Sequence, residues 1–147
     1  MTQLEFQALC RDTSLLLQLP DVEQLGREGQ ITLDGYNLGA FYDEERDEAI
    51  HCYVDLGPVE SEDRMQTLER VLALNLELGR MHGESLGLDS SSGHIILRSE
   101  IQNLQQCGPD SLADWLQDYC AFAREFRQLL EIEGGGQAMA EVQAHLA

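Results

Sequence analysis

Four cysteines, four histidines and a large surplus of carboxylates are the side chains here that could do chemistry. Their spacing assembles no familiar site. His51 and Cys52 are neighbours in sequence, and neighbours on a strand point to opposite faces, so they cannot share a metal or act as base and nucleophile. A surface imidazole and a core thiol are the ordinary readings. His82 falls at the end of a predicted helix, where a cation suits the dipole. His94 and His145 have no partner at ligand spacing. The run Asp43 to Glu48 crowds carboxylates together, but it lacks the alternating Asx ligands, the glycine and the distal glutamate of a calcium loop. It reads as a solvated hairpin tip. Arg64, Arg70, Arg80, Arg98, Arg124 and Arg127 do not cluster. No phosphate-binding GxxxxGK[ST] loop, GxGxxG turn, HExxH helix or GxSxG elbow is present. The expectation is therefore a protein that is not an enzyme, with no catalytic residue, metal ligand or cofactor. Its function must run through binding surfaces.

Composition narrows the partners. The 147 residues suit one domain of ordinary size, able to bury roughly 68–70% of its unfolded surface. Acids number 27 against 9 bases, a net charge of −18. That field repels a phosphate backbone and favours solubility of a protein carrying exposed apolar surface. Neither nucleic-acid binding nor membrane insertion is expected. The start, MTQLEFQALCRD, lacks the basic segment, apolar run and cleavage site of a signal peptide, and no stretch approaches 18 apolar residues. The cytoplasm follows as the expected compartment. Cys10, Cys52, Cys107 and Cys120 form no CxxC pair and read as free buried thiols.

The elements that must position any surface follow from periodicity. Thr2 to Leu19 predicts a helix, with Thr2 and Glu5 at capping-box spacing and Pro20 as its stop. Leu15, Leu16 and Leu17 run further round its wheel than one core face needs. The period then changes to two. Gln30 to Asp34, Tyr36 to Tyr42 and Ala49 to Leu56 predict a three-strand antiparallel meander, with Asp34-Gly35 as a tight hairpin turn. Glu62 to His82 predicts a long helix with two apolar stripes. Met65, Leu68, Leu72, Leu76 and Gly79 form one, and Val71, Leu74, Leu78 and Met81 the other. One stripe normally suffices for a surface helix, so one side is expected to meet the domain's own sheet and the other a partner, most simply a second copy. Glu84 to Asp89 and His94 to Gln102 predict two more strands. Asp110 to Ile132 predicts a final helix striped by Leu112, Trp115, Leu116, Tyr119, Phe122, Phe126, Leu129 and Leu130. Gly134-Gly135-Gly136 breaks it. The expected order is α-β-β-β-α-β-β-α, an α+β domain over residues 1–132 with helices packed on a twisted antiparallel sheet. Residues 133–147 are a glycine-rich joint and tail.

This order and the local sequence together resemble the class I type III secretion chaperones, the Tir-chaperone (CesT-like) family. The stretches that carry the likeness are LERVLALNLELG, with its leucines around Asn75; ESLGLDSSSGHIILRSEI, two strands about a glycine-containing turn; and LADWLQDYCAFAREFRQLL, the last helix. The likeness spans about residues 2–132 and leaves the tail after Gly134 unexplained. It implies a homodimer in the cytoplasm of a Gram-negative bacterium. The dimer would bind the N-terminal segment of a secreted effector in extended form and keep it soluble and secretion-competent. The export ATPase is a further implied partner. Val71, Leu74, Leu78 and Met81 would then lie in or near the dimer interface, beside Leu86 and Leu88 of the following strand.

An unfolded segment can place apolar anchors in grooves and add a strand to an open sheet edge. The groove residues expected on this basis are Leu16, Leu17, Ile31, Leu33, Leu38 and Phe41. Phe41 stands out, because it sits opposite Tyr36, Leu38 and Tyr42 on its strand. Two rivals keep other functions in view. One is a regulatory adaptor or anti-activator of the same fold with a folded partner. The other is a small-ligand-binding α+β domain, for which no polar site residues can be named.

Overall fold

The computed structural model describes residues 1–46, 48–60, 62–81 and 84–132. The expected tail, His82 and His145 lie outside these residues. The first helix, α1, spans Gln3–Leu16 and opens on the expected capping box. The Thr2 hydroxyl accepts from the Glu5 N–H at 3.2 Å, and the Glu5 carboxylate accepts from the Thr2 N–H at 2.6 Å. The helix ends before Pro20 acts. Gln18 takes a left-handed turn (φ 55°), and the Leu19 N–H bonds back to the Ser14 carbonyl. A short helix, α2, at Gln24–Glu28 was not foreseen; it closes on left-handed Gly29.

Strands β1 (Gln30–Leu33), β2 (Tyr36–Tyr42) and β3 (Ile50–Pro58) form the expected meander. Asp34 and Gly35 both have positive φ (51° and 82°), which is what a two-residue turn matched to strand twist requires. Helix α3 (Arg64–Met81) follows, then β4 (Ser85–Asp89), β5 (His94–Ile101), a 3₁₀ turn at Leu104–Gln106, and α4 (Pro109–Leu130). The sheet order is β1-β2-β3-β5-β4, antiparallel throughout, so β1 and β4 are its edges.

Alternation divides the sheet into two faces. Leu38, Ala40 and Tyr42, then Ile50, Cys52, Val54 and Leu56, then Ile95 and Leu97, point to one side and are buried. Helices α1 and α4 cover that side with Phe6, Leu9 and Cys10, and with Leu112, Leu116, Tyr119, Ala123 and Leu130. Burying a large aliphatic or aromatic side chain contributes about 1.5–3 kcal/mol, so this layer dominates stability. The alternate residues, among them Asn37, Phe41, His51, Tyr53, Arg98 and Glu100, point to the other side and are exposed or half-buried.

Gly39 falls on that second side, and the position requires glycine because a Cβ would collide with the Gly29 carbonyl oxygen. The same carbonyl accepts a hydrogen bond from the Tyr53 hydroxyl at 2.9 Å, which ties the α2–β1 corner across the sheet.

Candidate interaction surfaces

Among the described residues the polar groups are scattered. Burial pushes the Cys10 and Cys52 thiols up to about 12 and the Cys120 thiol to about 11. These three are protonated at neutral pH and are poor nucleophiles and poor metal ligands. Among the described residues no three His, Cys, Asp or Glu side chains are grouped to hold a metal. His94 Nδ1 lies 2.8 Å from the Asp55 carboxylate in a half-buried pair at the end of the sheet. Among the described residues no helix is long and apolar enough to cross a membrane.

The open face of the sheet presents an aromatic. Phe41, on β2, is 45% exposed and stacks on His51 of β3, with ring centroids 5.0 Å apart and 20° between planes. His51 Nδ1 lies 3.6 Å from a Glu100 oxygen on β5. The register Phe41–His51–Glu100 runs straight across three strands. An aromatic half in water on a flat strand surface is a ready anchor point for another chain.

The other expected groove residues divide by burial. Leu16 is 52% exposed on α1, with Leu15 at 58% beside it. Leu17 and Leu33 are half-buried against the core. Ile31 and Leu38 are 2% and 0% exposed. This corrects their placement: both point inward, and a partner cannot reach them without opening the domain. Nor does the fold gather the remaining anchors into one groove. Phe6 of α1 packs on Tyr42 at 5.8 Å, on the face opposite Phe41. Leu16 therefore lies on the helical side of the sheet and Phe41 on the bare side.

Helix α3 requires the larger correction. Val71 and Leu78, expected at a dimer interface, are 6% and 8% exposed, and Leu74 is half-buried against the core. Leu86 of β4 is likewise buried. Met81 ends the helix, and its side chain lies outside the described residues. The inward stripe is the one assigned to a partner. Most of the other stripe faces water: Met65, Leu72 and Leu76 are 76%, 71% and 69% exposed, and Gly79 has open space before it, whereas Leu68 is half-buried against the core. Leu88 on the β4 edge, expected beside the dimer interface, is 39% exposed.

Asn75 ties α3 to the β4 edge. Its side-chain oxygen accepts the Leu86 N–H at 2.8 Å. This satisfies an edge-strand donor that would otherwise lack a partner. Asn75 lies on the same helix face as the buried Val71 and Leu78, with Leu72 and Leu76 turned outward.

Two comparisons with known proteins bear on these surfaces. A family model described as the Tir chaperone protein (CesT) family matches residues 23–127. The solved structure of the ExsC–ExsE complex contains a chain similar to this one at TM-score 0.70 and 19% identity, covering 87% of this chain and 95% of that one. The HopA1–SchA chaperone–effector complex contains another at TM-score 0.59 and 21% identity, covering 86% and 95%. At these identities the likeness is one of fold. No curated protein sequence matches the chain.

Proposed function

This chain belongs to the Tir chaperone (CesT) family, and from that premise we propose that it is a cytoplasmic type III secretion chaperone. It binds the N-terminal segment of a secreted effector in extended form and keeps it soluble and secretion-competent. The observation that carries the binding surface is Phe41, an aromatic held half in water on the uncovered face of the sheet. Leu15 and Leu16 supply a second apolar anchor point on the helical side. An extended chain rises about 3.3 Å per residue, so a few tens of residues can wrap from one side of the domain to the other. Ordering such a segment costs several kcal/mol, and separated apolar anchors offset that cost. The molecule works as a homodimer joined through Met65, Leu72 and Leu76 of α3, with Leu88 of the β4 edge alongside. The net charge of −18 keeps the assembly soluble while these patches wait for a client.

Phe41→Glu removes the anchor without touching the core. Losing an aromatic contact costs about 1.5–3 kcal/mol, so affinity for the effector segment should fall roughly 10- to 100-fold. Thermal unfolding should be unchanged. Undiminished affinity in the folded variant would remove the open sheet face from the client site. A captured partner that is folded when free would instead favour a regulatory adaptor of the same fold.

A further inference from the structure

The helical side of the molecule holds a cleft that neither the client surface nor the dimer stripe uses. It lies between α3 and α4, is lined by Leu74, Glu77, Leu78, Glu84, Phe122 and Phe126 with Glu125, and has a volume of about 240 Å³. One water occupies about 30 Å³ of liquid, so there is room for a bulky side chain. The floor is apolar around one nearly buried carboxylate, Glu84. Phe122 is 40% exposed over it, in an aromatic row with Tyr119 and Phe126 at 6.3 Å each way. Glu77 and Glu125 stand exposed at the rim.

We infer that this cleft is a separate binding site for a polypeptide segment that carries a bulky apolar side chain beside lysine or arginine. An apolar floor under a carboxylate rim matches such a segment twice. The floor takes the apolar side chain and the stems of the cations, and the rim takes the charged heads. In the proposed homodimer a second copy is seated on the outer stripe of α3 instead, through Met65, Leu72 and Leu76, and charge argues against the chain's own tail. Residues 133–147 of the chain itself contain Glu133 and Glu141 and no lysine or arginine. The inference stands on these residues alone and does not depend on Phe41 holding the client.

Binding is read by isothermal titration calorimetry. The probe is a short synthetic peptide with a Leu-Phe centre flanked by arginines and lysines, titrated into the full chain. A control peptide carries glutamates in place of the cations. The expected result is saturable binding of the basic peptide only, weakened at least tenfold by Glu77→Gln/Glu125→Gln and by Phe122→Ala, and weakened when salt rises from about 0.05 to about 0.5 M. These substitutions are at exposed positions, and an unchanged melting curve checks that the fold survives. Equal binding of the two peptides overturns the inference, as does unchanged affinity in the double glutamine variant or an absence of saturable binding. Two outcomes reassign the cleft and likewise overturn it. Binding that splits a dimer gives the cleft to a second copy, and binding seen only after deletion of residues 133–147 gives it to the tail.

Discussion

Replacing Leu72 by glutamate is expected to break the proposed homodimer and leave folded monomers. Leu72 is 71% exposed on the outer stripe of α3, between Met65 and Leu76, so its side chain contributes almost nothing within one chain. Burying a leucine contributes about 1.5–3 kcal/mol, and two-fold symmetry makes each substitution count twice. The dimer should lose about 3–6 kcal/mol, a factor of roughly 10² to 10⁴ in its dissociation constant. Burying the introduced carboxylates adds to the loss. The check is sedimentation velocity over a concentration series, with circular dichroism to confirm the fold. A variant dimer as tight as the parent would take this stripe out of the interface. Leu74→Glu is a poorer probe, because Leu74 packs against the core and its replacement unsettles the monomer as well.

Leu38→Ala is expected to act in the opposite way, on the fold. Leu38 is fully buried, at the centre of β2 and opposite Val54 of β3. Truncating a buried leucine costs about 2–5 kcal/mol through lost transfer energy and the cavity left behind. Against a typical total of about 5–15 kcal/mol this is a large fraction. The urea midpoint should fall with little change in slope, and the variant should still bind client under conditions where it is folded. A loss below about 0.5 kcal/mol, the range of an ordinary surface substitution, would mean that Leu38 is not the core residue its burial describes. With Phe41→Glu, this separates anchor from core on a single strand, three residues apart.

That strand shows what periodicity alone conveys. Alternation divides β2 correctly into Leu38, Ala40 and Tyr42 on one face and Phe41 on the other. It does not say which face is covered. Phe41 was singled out because it broke the apolar pattern, and that break is a local signal. Ile31 and Leu38 were assigned to a groove because they are apolar strand residues near the start of the sheet, a property that core and surface share. Helix α3 repeats the lesson at a period of 3.6. Its two stripes were legible, but their direction was not. The stripe that faces inward packs on other elements, and the contact that accompanies it, the Leu86 N–H donating to Asn75, joins residues 11 apart on different elements. Local chemistry was easier to read. The Thr2–Glu5 capping box and the Asp34–Gly35 turn form as their residue types require. The end of α1 was not legible, because Gln18 carries no residue preference for a left-handed turn and Pro20 stood nearby as a plausible stop. The cleft between α3 and α4 was likewise out of reach, since Glu77 and Glu125 meet only once the two helices are packed.

The central claim is that this protein holds the N-terminal segment of a secreted protein unfolded. It is tested most directly by capturing the tagged chain with its partner from secretion-competent cells and following hydrogen exchange on that partner. The account predicts one protected stretch of several tens of residues near the partner's N-terminus. Once freed from the complex, the same stretch should exchange at the rate of an unfolded chain. A partner whose protected region stays folded and slow to exchange when free, or protection that lies only in a folded domain, would contradict it.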